Sequence, residues 1–154
     1  YGFIKLGRLV ECADMTTRIM DVGAGDIMER AGRFGAIDPL LWGALLQALS
    51  AAAAYRREVG PIIEKDAALN FIFLSSTFPR SMKYFVRETR KELMRLNNHD
   101  LAIRAVERLR RRLTRLDAEH FTSGELHDYI DDFQLQLTSL DAAIQATWFS
   151  WENA

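Results

Sequence analysis

Two sets of charged or hydroxyl-bearing residues in this sequence have types and spacings that could do chemistry. On the first apolar-periodic stretch, Glu11 stands three residues from Arg8 and two turns from Arg18. One carboxylate between two guanidiniums predicts a bidentate ionic network, or a general acid or base with arginines orienting an anionic substrate. The same face carries Ile4, Met15 and Val22, and the neighbouring stripe carries Phe3, Leu6, Val10, Ala13, Thr17 and Met20. Charges thus sit within an apolar surface and are expected to be paired, because removing one partner of a buried pair costs about 3–5 kcal/mol. Asp14, one turn beyond Glu11, reads as a solvated or pairing residue.

Arg80 and Ser81 follow Pro79 at an expected helix start, where free N–H groups and the positive dipole end suit a phosphate or carboxylate. The plainer alternative is a cap plus an interhelical pair. Tyr55, Arg56 and Arg57 join such a pocket if their helix packs nearby. No metal site is expected: His99, His120 and His127 are scattered without a ligand-spaced partner, and Asp131 and Asp132, being adjacent, face different directions. No phosphate-cradling glycine motif occurs, so no cofactor is expected and ATP would be bound by a partner protein.

The elements that position these groups are helices. β-branched alternation is absent, and three prolines and nine glycines punctuate the chain. The first helix is expected from about Gly2 to Val22, stopped by Gly23 and Gly25, with a loop to Ile37. The second runs from the Asp38–Pro39 start to about Glu58, ended by Gly60 and Pro61. A third covers about Lys65 to Leu74, and a fourth runs from Pro79 to Leu96 with Met82, Phe85, Thr89 and Leu93 on one face.

The fifth helix places Ala102, Val106, Leu109, Leu113 and Leu116 in a seam. The last, capped by Ser123, aligns Leu126, Ile130, Phe133, Leu137, Leu140, Ile144 and Trp148. Short links between such seams predict an all-α, up-and-down antiparallel bundle of five to six helices, forming one domain over 1–154. Beginning at Tyr1 in helical register, the chain reads as part of a longer polypeptide.

Composition narrows the partners. Twenty Lys+Arg against 21 Asp+Glu leave a formal charge of −1, so net charge calls for neither nucleic acid nor an anionic membrane. Arg108, Arg110, Arg111, Arg112 and Arg115 form a local run read as a solvated face, since no aromatic stacking platform is interleaved. A single cysteine, Cys12, excludes an intrachain disulfide and fits a reducing, cytoplasmic setting. Trp42 reads as a core anchor, whereas Trp148, Phe149 and Trp151 cluster as a candidate association surface.

The stretch FIKLGRLVECADMTTRIMDV, from Phe3 to Val22, resembles the signature helix of the bacterial alpha-E family. Further segments match in order: Trp42 with Leu45 and Leu46, AAAAYRR from Ala51, NFIFLSSTFPRSMKYF from Asn70, and GELHDYIDDF from Gly124. Full members of that family are about twice as long with two related halves, and this chain is similar to the second. Cys12 stands where the family's motif arginine is expected. The resemblance implies a place in a peptide or amide modification system beside ATP-grasp-type ligases, as scaffold, carrier or catalyst. Three roles follow as expectations: an accessory domain using Arg8, Arg18 and Arg80 to hold an anionic group, an enzyme using Glu11, and a homo-oligomerisation module.

Overall fold

The computed structural model describes residues 1–30 and 38–150, apart from the His120 side chain. Among them it is all-helical, with seven α-helices: α1 (Gly2–Glu29), α2 (Asp38–Ala48), α3 (Ala52–Glu58), α4 (Lys65–Leu74), α5 (Met82–Leu93), α6 (Asp100–Thr114) and α7 (Ser123–Trp148). A short 3-10 turn, Ala118–His120, precedes α7. Among the described residues, no helix is long and apolar enough to cross a membrane.

Helices α1, α5, α6 and α7 close into a bundle in which α1 and α6 each pack on both α5 and α7. The contacts give the directions. Along α1 and α7, Phe3 meets Trp148, Thr17 meets Gln134 and Asp21 meets His127, so the two helices run antiparallel. Arg112 of α6 pairs with Asp132, while Asn97, just before α6, accepts from Trp148; α6 and α7 are therefore antiparallel too. The seams expected on α6 and α7 supply the core, with Ala102, Val106, Leu109, Ile130, Phe133 and Leu140 fully buried. Helices α2 and α4 lie alongside, against α1 and α5 respectively.

The structure departs from the sequence expectations at several helix ends. Helix α1 does not stop at Gly23 and Gly25 but continues to Glu29. A Cβ on Gly23 would lie 2.7 Å from Leu45 Cδ1, so glycine there lets α2 approach closely, and that packing offsets its unfavourable helix propensity of about 1 kcal/mol. The rest of the expected loop, 31–37, lies outside the described residues.

The single helix expected over Asp38–Glu58 is two. Ser50 adopts φ 55°, Ser50 N–H donates to Gln47 O at 2.9 Å and Ala51 N–H to Leu46 O at 2.7 Å. These are the paired bonds of a Schellman stop, built on serine where glycine is usual. This break raises the helix count above the expected five to six. Two starts also shift. Helix α5 opens after Ser81 rather than at Pro79, and α7 is capped by Thr122, whose hydroxyl and Glu125 form a reciprocal capping box.

Candidate functional site

The stripe carrying the first candidate set faces solvent. Ile4, Arg8, Glu11, Met15, Arg18 and Val22 are all exposed, while the adjacent Leu6, Ala13, Thr17 and Met20 are buried. Arg18 Nε donates to Asp14 Oδ2 at 2.9 Å, and Glu11 has no ion pair among the described residues. The expected network of Arg8, Glu11 and Arg18 is therefore not formed. An amphipathic helix buries one stripe, and on α1 the Leu6–Met20 stripe takes that place against α5 and α7.

A different carboxylate receives the buried pairing. Lys5 Nζ donates to Glu92 Oε1 at 2.7 Å and lies 3.6 Å from Glu88 Oε2, while Arg95 Nη1 reaches Glu92 at 3.1 Å. Glu92 is only 5% exposed. The Lys5 hydrogen bond holds its carboxyl below the ordinary value despite opposing burial, and the same bond raises the Lys5 ammonium. This triad ties α1 to α5.

The segments that carry the second candidate set meet: Glu58 bridges to Ser75 and Thr77, and Arg80 reaches Leu49. Tyr55 is buried, its hydroxyl donates to Ile62 O at 2.8 Å, and its ring meets Phe71 edge-on while Phe71 stacks on Phe78. Burial raises the Tyr55 phenol. At the end of α3, Glu58 Oε2 accepts from Ser75 Oγ at 2.7 Å and Thr77 Oγ1 at 3.0 Å. Ser75 Oγ in turn accepts from the Phe78 N–H at 3.0 Å. Ser81, fully buried, donates to Ser75 O and accepts from the Tyr84 N–H at 3.1 Å.

Ser81 is thus a cap and a brace rather than an open ligand. Arg80 is exposed and reaches Leu49 O at 3.5 Å, so the 49–58 and 75–81 segments lie side by side. Arg56 and Arg57 extend into solvent from α3 with no ion pair among the described residues. The corner is a hydrogen-bonded loop with the exposed Arg80 guanidinium beside it, a group suited to a carboxylate or phosphate. Glu11, Arg8 and Arg18 belong to another part of the molecule.

Sequence reasoning missed a groove of about 1180 Å³ between α5 and α6. Lys83, Arg87, Arg90, Lys91 and Arg110 line it together with Glu107 and the apolar Leu74, Val86, Met94 and Leu113. Glu107 accepts from Arg110 Nε at 2.6 Å and Arg90 Nε at 2.8 Å. The Arg110 bond foremost holds its carboxyl below the ordinary value. The available signal was the spacing of cations at 83, 87, 90 and 91 on one side of α5, opposite the arginine run of α6.

A third cluster joins α1 to α7. His127 Nδ1 lies 2.7 Å from Asp21 Oδ1, and its Nε2 lies 3.4 Å from Asp131 Oδ2. One ligand atom from each residue falls within 4.8 Å of the others, a set that the scattered histidine spacing did not suggest. With a carboxylate directly beside each ring nitrogen, the arrangement suits an imidazolium. Asp21 chiefly, then Asp131, raises the His127 value. On α7 as well, Tyr129 has its ring covered by Arg112 of α6, and burial pushes its phenol up to about 12.

Of the aromatic residues, Trp42 is core, and Trp148 is half-buried with its indole N–H donating to Asn97 O at 3.1 Å. Phe149 is exposed and packs edge-on to Phe3, while Trp151 lies outside the described residues, as does the His120 side chain.

A family model, Alpha-E, described as a predicted alpha-helical domain with a conserved ER motif, matches residues 1–149. Comparisons with curated proteins and with solved structures give no match.

Proposed function

The chain belongs to the Alpha-E family, and from that premise we propose that it is a non-catalytic accessory domain of a peptide or amide modification system, acting beside an ATP-grasp-type ligase. Its task in this reading is to hold an anionic group of the substrate or partner at the Arg80 corner. One observation carries the reading. Two segments similar to family motifs, 51–57 and 70–85, meet in one corner through the Tyr55–Phe71 ring contact and through Glu58, the residue after the first segment, which accepts from Ser75 and Thr77; Ser75 and Ser81 brace the second segment internally. That bonding spends the local hydroxyls on the loop itself and leaves Arg80, Arg56 and Arg57 facing outward.

A guanidinium held on a rigid loop loses little entropy on meeting a carboxylate or phosphate, which favours a holding role. Chemistry at Glu11 has weaker support, because that carboxylate stands on an exposed stripe without an orienting partner among the described residues.

The test combines the purified chain with an ATP-grasp-type ligase from the same genome, ATP and a peptide acceptor. The chain alone is expected to turn over nothing, to stimulate the ligase, and to lose that stimulation on Arg80→Ala with an unchanged melting curve. Turnover by the chain without the ligase overturns the reading.

A further inference from the structure

We propose that the groove between α5 and α6 is a docking site for an acidic amphipathic helix of a partner protein. This goes beyond the Arg80 corner and does not depend on the ligase.

The occupant follows from the lining. Along α5 the groove is bounded by Lys83, Val86, Arg87, Arg90, Lys91 and Met94, a single stripe at helical spacing. At about 1.5 Å per residue it is roughly 16 Å long, or three helical turns. An open trough of about 1180 Å³ is larger than an enclosed small-molecule pocket and suits a rod laid along it.

Charge selects the sign of that rod. Five cations line it with one carboxylate, Glu107, which Arg90 and Arg110 already engage, while Arg87 pairs with Glu88 beside the groove at 3.1 Å. Lys83 and Lys91 are exposed and make no ion pair among the described residues, although Lys91 lies close enough to help hold Glu92 ionised. The concentration is local, since the whole chain carries −1 and α7 holds Glu125, Asp128, Asp131, Asp132 and Asp141 without any lysine or arginine. Two of the arginines are held in place. Arg87 donates to Ser76 O at 2.8 Å and lies over the Tyr84 ring, and Arg90 is fixed by Glu107 at 2.8 Å. Held cations lose less freedom on binding an acid.

The apolar floor separates a polypeptide from a nucleic acid. Met94, 49% exposed, is the open apolar side chain, with Leu74 half-buried and Val86 and Leu113 buried beneath; these offer a phosphate backbone nothing, and no aromatic ring in the lining provides a base-stacking platform. A helix with acidic edges and a leucine-type stripe satisfies both halves of the lining.

Fluorescence anisotropy tests this with a dye-labelled peptide of about three to four turns that has leucines at i, i+3, i+4 and i+7 and glutamates elsewhere. The controls are a scrambled peptide of equal composition and a single-stranded oligonucleotide. The amphipathic peptide is expected to bind roughly tenfold more tightly than the scrambled one and to weaken as salt rises. A Lys83→Glu/Lys91→Glu variant is expected to lose roughly tenfold or more in affinity, and Met94→Glu a smaller factor, each with the native melting curve because all three side chains are exposed. Equal binding of both peptides, or unchanged affinity in the variants, overturns the proposal. Tighter oligonucleotide binding that disappears in the same variants overturns it in favour of a nucleic-acid surface.

Discussion

Helix α1 carries two charged sets of opposite fate. Lys5 reaches across to Glu92 and Glu88 of α5, and its partner Glu92 is buried and also held by Arg95. Glu11, fewer than two turns further on, stands in solvent between Arg8 and Arg18, and Arg18 has paired with Asp14 instead. By spacing alone the Glu11 set looks the more organised. The difference teaches that a carboxylate gains a network only if its stripe faces another helix. In solvent, the ordering entropy of long side chains cancels most of the Coulomb gain.

The sharpest break of this comparison uses one residue type on both stripes. Met20, fully buried, and Met15, 55% exposed, lie on the same helix. Met20→Ala is expected to cost about 2–5 kcal/mol by denaturant unfolding, whereas Met15→Ala stays within about 0.5 kcal/mol. Equal losses would mean that the Met15 stripe is covered in solution.

Glu92→Gln comes next. It removes the acceptor charge for Lys5 and Arg95, and should lower the melting temperature at neutral pH more than any change on the Glu11 stripe. Because the Glu92 carboxyl is held below its ordinary value, its contribution is present above about pH 4.5 and fades as pH falls through the lowered native value. The gap between wild type and variant should therefore narrow in acid.

His127 gives a smaller effect of opposite sign. Asp21 raises its value, so its contribution is complete below about pH 6.5 and is lost as pH rises through the native value. Asp21→Asn should cost more melting temperature at about pH 6 than at about pH 9; a constant gap would show that the Asp21–His127 contact does not depend on an imidazolium. The smallest change belongs to Glu11→Gln, expected within about 0.5 kcal/mol of wild type. A loss of several kcal/mol there would restore the ionic network that the geometry leaves unformed.

The core seams were legible because burial repeats at helical period. Leu109, Leu113, Ile130, Phe133 and Leu137 all face inward as their spacing requires. The α2–α3 break was not, since Ser50 adopts its positive φ in a stop that usually calls for glycine. Nor was the continuation of α1 through Gly23, which depends on Leu45 arriving from another helix. For the candidate site, Tyr55 and Arg56 could be set beside Arg80 and Ser81 only conditionally. The acid that joins their segments, Glu58, gives no signal of its own, because its hydroxyl partners lie 17 and 19 residues away.

By itself, the sequence determined the helical class, the inward seams and the family, because periodicity and ordered motifs are properties of the chain taken locally. Tertiary structure alone decided which charged stripe of α1 is covered, which acid Lys5 meets, and that the cations of α5 and α6 share one groove. Those outcomes turn on the rotation of each helix about its axis. That rotation is set by the sum of all interhelical packing, which no single helix records.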